Sequence, residues 1–128
     1  MMFDKKDDGK RVLIADDSLF MRKNLKNILI NIGYNVVGEA VNGLIAVEMY
    51  GNLKPDLVTL DITMPQMDGI SALKAIKKID NNAKVIMCSA MGQKYYLKDA
   101  FDNGAIDYII KPFNVQIILD VFSKASSR

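Results

Sequence analysis

Short unbroken apolar runs recur along this chain. They alternate with longer segments in which apolar positions repeat every three or four residues. The first run is Arg11-Val12-Leu13-Ile14-Ala15, the pattern of a strand buried on both faces. Ser18 follows where a helix needs an N-cap. Leu25, Ile28, Leu29 and Ile32 then fall at helical spacing, and Gly33 suits the helix end. Residues 34–40 read as a second strand. Asn42-Gly43 opens a helix whose apolar positions are Leu44, Val47 and Met49 or Tyr50, and Lys54-Pro55-Asp56 breaks it. The third strand covers 57–60 and ends at Asp61. After the loop Met64-Pro65-Gln66-Met67-Asp68-Gly69 comes a helix bearing Leu73, Ile76 and Lys77. The fourth strand, 84–88, ends at Ser89. A fourth helix is expected over 93–103, stopped by Gly104. The fifth strand, 107–110, runs into Lys111-Pro112. A last helix over 115–123 offers Ile117, Ile118, Val121 and Phe122 to the core. Strand and helix thus alternate five times, which implies an α/β fold with a parallel sheet and helices on both faces.

This order gathers polar residues. In a parallel sheet all C-terminal strand ends lie along one edge, where open α/β sheets bind ligands. That edge receives Asp16-Asp17, Asp61, Ser89 and Lys111. Taken singly, each has a plain explanation. An Asp pair after a strand is ordinary turn chemistry, Ser89 could cap a helix, and Lys111 could be solvated. Caps do not explain three carboxylates, a hydroxyl and an amine at neighbouring strand ends. Three crowded carboxylates repel one another and raise each other's pKa. A hard divalent cation removes that repulsion, and an all-oxygen set favours Mg²⁺ or Mn²⁺. With a lysine beside it, the set suits a phosphoryl group, whose transfer needs positioning and charge stabilisation. A carboxylate is a competent nucleophile for it.

Composition narrows the alternatives. The chain has 128 residues, half of them apolar, which suits one domain with a real core. It contains no histidine. Ser-His-Asp and Cys-His catalysis, histidine-ligated metals and a phosphohistidine carrier are all excluded. The single cysteine, Cys88, allows neither an internal disulfide nor a cysteine-built zinc site. A net charge of +2 gives no argument for nucleic acid or membrane partners. No apolar run is long enough to span a bilayer. The polar N-terminus is not a signal peptide, so a cytoplasmic setting is expected.

The residues Asp16-Asp17, Asp61-Ile62-Thr63-Met64-Pro65-Gln66-Met67-Asp68-Gly69, Ser89-Ala90 and Lys111-Pro112-Phe113 resemble the response-regulator receiver domain in order and spacing. The likeness covers nearly the whole chain, and the nearest type is the single-domain chemotaxis regulator. The resemblance, not the periodicity, implies a flavodoxin-like doubly wound sheet in the order 2-1-3-4-5. It implies a receiver domain over 10–126; the polar, charged residues 1–9 read as a mobile tail, and the short polar end after the last helix leaves the expectation of no output domain. By position, Asp61 is the phosphoacceptor, Ser89 donates to a phosphoryl oxygen, and Lys111 pairs with the phosphoryl charge. Asp17 and Asp61 would bind Mg²⁺ directly, Asp16 mainly through water, and Thr63 through its backbone carbonyl, with Mn²⁺ able to substitute. Tyr108 would be the aromatic switch. Thr63 and Met91 would border the path of hydrolytic water and so set signal lifetime. Lys111-Pro112 would be a cis peptide. Tyr95, Lys98 and Ile106 would contact partners on the face of helix four, strand five and helix five.

The implied activity is signalling rather than metabolic catalysis. The chain would take its phosphoryl group from a phosphohistidine donor and lose it slowly by itself. The implied partners are a chemotaxis-type histidine kinase, a flagellar motor switch protein and a dedicated phosphatase, with the chain a monomer. A single-domain relay outside chemotaxis is the alternative. An aspartate-nucleophile phosphatase of the haloacid dehalogenase type would need a second Asp where Thr63 stands. A flavodoxin-like electron carrier would not place Asp16-Asp17 against a flavin phosphate.

Overall fold

The computed structural model describes residues 10–127; the tail expected over 1–9 lies outside the described residues. The elements are β1 (Arg11–Ala15), α1 (Leu19–Asn31), β2 (Asn35–Ala40), α2 (Gly43–Leu53), β3 (Leu57–Asp61), α3 (Gly69–Ile79), β4 (Val85–Ser89), a 3₁₀ turn (Lys94–Tyr96), α4 (Leu97–Asp102), β5 (Asp107–Ile110) and α5 (Val115–Ser126). All strand pairings are parallel. The sheet order is β2-β1-β3-β4-β5, the 2-1-3-4-5 order of the flavodoxin-like fold.

Period-two alternation divides the sheet into two apolar faces. Leu13, Ala15, Val58, Leu60, Val85 and Met87 face the side covered by α2, α3 and α4, where Tyr50, Leu73, Ile76 and Leu97 meet them. Val12, Ile14, Leu57, Ile86 and Ile109 face the other side, against Leu25 and Leu29 of α1 and Ile118, Val121 and Phe122 of α5. Burying each large side chain contributes about 1.5–3 kcal/mol. Side-chain oxygens cap four helices. Ser18, Asn42, Asp68 and Asn114 accept from the backbone N–H of Met21, Ile45, Ser71 and Ile117, each cap contributing about 1 kcal/mol.

The structure corrects several details of the sequence reading. The fourth helix does not run over 93–103. Gly92 takes a φ of +94°, Lys94–Tyr96 tightens into a 3₁₀ turn without a side-chain cap, and α4 keeps only Leu97–Asp102. Tyr34 precedes β2 instead of starting it. Its ring packs edge-on against Phe122 at 5.3 Å, and its hydroxyl meets Ser126 Oγ at 2.8 Å. Of the helix positions offered to the core, Leu44 and Ile117 are each half exposed. Of Met49 and Tyr50, Tyr50 is the buried one. No helix among the described residues is long and apolar enough to cross a membrane.

Candidate functional site

The C-terminal ends of β1, β3, β4 and β5 bring the predicted residues together. The last register pairs of the ladders are Ala15 with Leu60, Asp61 with Cys88, and Ser89 with Ile110. Asp16, Asp61, Ser89 and Lys111 therefore sit at one edge. Carboxylate oxygens of Asp16, Asp17 and Asp61 lie within 4.8 Å of one another. Asp16 and Asp61 are buried, and Asp17 is exposed.

Lys111 already acts as a counter-ion. Its Nζ lies 2.7 Å from Asp16 Oδ2 and 3.0 Å from Asp61 Oδ2. Burial works against its charge, but the bonds to Asp16 and Asp61 outweigh burial and its pKa rises. One cation cannot balance three carboxylates. At an effective dielectric near 20, like charges about 4 Å apart repel by about 4 kcal/mol. Asp61 registers the imbalance. Burial, together with the charges of Asp16 and Asp17, pushes its pKa from 3.8 up to about 6 against the pull of Lys111. Asp61 is still mostly ionised at neutral pH. The all-oxygen donor set and its uncompensated charge fit a hard divalent cation.

Ser89 gives a second observation on what the site would accept. Its Oγ is fully buried and has no hydrogen-bond partner among the described residues. A buried hydroxyl left in that state costs about 1–3 kcal/mol, which a bound group could recover. By contrast, Cys88 beside it is inert. Burial, then the charge of Asp61, pushes its thiol up to about 12, so it offers no thiolate chemistry.

The backbone around the carboxylates is held tightly. Asp16 Oδ1 accepts from Ser18 N at 2.9 Å. Gly69 N donates to Ile62 O, and a Cβ at Gly69 would collide with the Asp61 carbonyl. Only glycine lets α3 start this close to the end of β3. Lys111-Pro112 is cis, as the resemblance implied.

The remaining predicted residues are placed less tightly. Thr63 is exposed, and Met91 is 79% exposed. Tyr108 is half-buried, with Phe101 edge-on to its ring at 6.1 Å. Tyr95 is largely exposed and stacks on Tyr96 at 4.3 Å. Lys98 pairs with Asp102, and Ile106 packs partly against the α1–α5 side of the core. A groove of about 400 Å³ lies beside the carboxylates, not on them, bordered by Thr63, Ile70, Lys74, Tyr96 and Asp99 among others.

Two residues of the site were not anticipated. Arg22 Nη1 donates to the Asp16 carbonyl at 2.7 Å, while its Nε pairs with Glu39 at 3.1 Å. Its position four residues after the Ser18 cap, on the first turn of α1, is the signal that could have marked it. The Gln93 carboxamide joins two loops. Its Oε1 accepts from Ala90 N at 2.8 Å, and its Nε2 donates to Thr63 Oγ1 at 2.6 Å. The local half of that bridge has a sequence signal, a Gln three residues after a strand-end position. The half that reaches Thr63, thirty residues away, has none.

Comparison with known proteins agrees with this geometry. The family described as the response regulator receiver domain matches residues 12–123. The chemotaxis protein CheY of Thermotoga maritima is 56% identical over 118 residues, covering 92% of this chain and 98% of that protein. The CheY of Bacillus subtilis is 55% identical over 114 residues, covering 89% and 95%. Among solved structures, a CheX–CheY–BeF3–Mg²⁺ complex from Borrelia burgdorferi superposes with a TM-score of 0.84 at 44% identity, covering 89% of this chain and 87% of that one.

Proposed function

The chain belongs to the response-regulator receiver family, whose members are signalling domains, and from that premise we propose that it is a stand-alone chemotaxis regulator switched by phosphorylation of Asp61. The observation that carries this reading is the placement of Lys111. Its ammonium bridges Asp16 and Asp61 at the strand edge that also holds the unpartnered Ser89 hydroxyl. A phosphoryl group on Asp61 would meet a cation already 3.0 Å from its carboxylate, at an edge whose buried serine hydroxyl has no other partner among the described residues.

In the proposed transfer, an Asp61 carboxylate oxygen forms a bond to phosphorus. The bond from phosphorus to the donor's imidazole nitrogen breaks, and the electron pair leaves with that nitrogen. Asp61 serves because burial has not neutralised it at neutral pH. Lys111 balances the added charge, and Ser89 donates to a phosphoryl oxygen. Asp17, Asp61 and the Thr63 carbonyl would hold Mg²⁺, with Asp16 acting through water. When bound, the cation neutralises the carboxylates and the phosphoryl oxygens, and Mn²⁺ can take its place. The exposed Asp17 suits direct ligation, whereas Asp16 is already engaged by Ser18 N and Lys111.

Phosphorylation then shifts a pre-existing equilibrium. Tyr108 turns inward, and the α4–β5–α5 face changes for its partner. Thr63 and Met91 flank the approach of hydrolytic water. Met91 is exposed and, being apolar, cannot orient a water by hydrogen bonding, so its influence is on access. The similarity to the two CheY proteins over nearly their whole lengths supports a single-domain regulator. It supports a cytoplasmic setting with a chemotaxis-type histidine kinase upstream and a flagellar motor switch protein downstream. A dedicated phosphatase ends the signal, and the chain acts as a monomer.

Intact-mass analysis with Mg²⁺ and a small phosphodonor tests the core of this reading. The wild type should gain one phosphoryl group and Asp61→Asn none. Equal modification of both would refute the assignment of Asp61.

A further inference from the structure

The Gln93 bridge lies where the β3–β4 ladder runs out, and the ladder shows which way its partners face. Ile62 N donates to Cys88 O at 3.0 Å, so the Cys88 peptide points toward β3. Lys111 N donates to Ser89 O at 2.8 Å, so the next peptide points toward β5. By period-two alternation the Ala90 N–H is directed back to the β3 side, past Asp61. The next ladder carbonyl on that side, Ile62 O, accepts from Gly69 N and not from Ala90. Gln93 Oε1 fills the place at 2.8 Å. A backbone N–H can only donate, so the carboxamide oxygen must face Ala90 and the NH₂ must face Thr63. The same residue opens the turn toward α4, since Gln93 O accepts from Tyr96 N at 3.0 Å.

We propose that the Gln93 carboxamide is a latch that holds the Ala90 N–H and the Thr63 hydroxyl in the unmodified protein, and that a phosphoryl group on Asp61 displaces it. The inference rests on Asp61 being the phosphoacceptor. A phosphoryl oxygen carries charge and accepts more strongly than a neutral amide oxygen. Once the phosphoryl group is in place it takes the Ala90 N–H, and Gln93 is released. The Lys94–Tyr96 turn has no side-chain cap of its own, so its arrangement follows Gln93. Gln93 is thus a positioning residue joining the phosphosite to the start of α4. In the unmodified state it holds the chain back. Its two bonds are solvent-accessible, so releasing them should shift the equilibrium by about two- to tenfold.

The test is backbone and side-chain amide NMR on wild type and Gln93→Met, which keeps the side-chain length but makes neither bond. Spectra are recorded without ligand and with Mg²⁺ and beryllofluoride. In the wild type, beryllofluoride should move the Ala90 amide, the Gln93 side-chain NH₂ and the amides of residues 94–97 together. In ligand-free Gln93→Met the amides of 94–97 should already lie toward their ligand-bound wild-type positions. Its initial rate of phosphorylation by a small phosphodonor should rise by about two- to tenfold. A wild-type response at Asp61 that leaves Ala90 and the Gln93 NH₂ unmoved would overturn the latch alone. So would ligand-free spectra and a rate in Gln93→Met equal to those of wild type. A wild type that shows no response around Asp61 would overturn the phosphoacceptor reading, and the latch with it.

Discussion

Neutralising Asp61 should stabilise the metal-free protein, even though it abolishes the proposed phosphosite. Asp61 is 6% exposed, and burial with two neighbouring carboxylates lifts its pKa from 3.8 to about 6. Its folded pKa lies above its unfolded one, so the folded state favours the neutral acid. Stability from this group is full below about pH 4, is lost as pH rises to about 6, and stays lost above. At about 1.4 kcal/mol per tenfold, the ionised form costs the fold about 3 kcal/mol at neutral pH. The pull of Lys111 is already included in that figure. Asp61→Asn has no charge to bury, and its carbonyl can still accept from Lys111. The variant should gain about 1–3 kcal/mol at pH 7.5 in EDTA, or roughly 3–10 °C in Tm. The gain should vanish at pH 4, where wild-type Asp61 is also neutral. It should shrink or reverse in saturating Mg²⁺, because a cation that binds only the folded state stabilises it, and wild type offers the fuller ligand set. Urea melts of both proteins at pH 4 and 7.5, with EDTA and with Mg²⁺, measure all of this. A metal-free Asp61→Asn protein at pH 7.5 no more stable than wild type would refute the account of crowded, buried charge.

Three further outcomes follow from the same geometry. Asp17→Ala should weaken Mg²⁺ binding more than Asp16→Ala, since Asp17 is exposed and free to ligate while Asp16 is held by Ser18 N and Lys111; calorimetric titration giving the reverse order would contradict the assigned roles. Gly69→Ala should cost about 3 kcal/mol or more, because its Cβ would meet the Asp61 carbonyl and must push α3 or β3 aside; a urea midpoint within error of wild type would show that the close approach can relax. Met91→Glu should speed decay of the aspartyl phosphate at fixed Mg²⁺ by adding a group able to orient water at an exposed position; unchanged decay would remove Met91 from any kinetic role.

The hydrophobic pattern by itself determined the five-fold alternation of strand and helix and the strand ends on which the chemistry sits. It could do so because continuous apolar runs and helical spacing are local signals, each read within ten or so residues. Parallel pairing followed from the alternation, and it brought Asp16, Asp61, Ser89 and Lys111 to one edge. The strand order came through resemblance, since several orders satisfy the same pattern. Helix four was misread because its 3₁₀ start depends on a left-handed Gly92 and on the absence of a cap, which periodicity does not register. Three further features were settled only by the tertiary structure: the burial that is the largest cause of Asp61's raised pKa, the lysine lying across two carboxylates, and the Gln93 bridge from Ala90 to Thr63. Each depends on distances of a few ångströms between segments far apart in sequence. Burial, charge and hydrogen-bond partners are properties of that assembled edge, and no local stretch of the chain carries them.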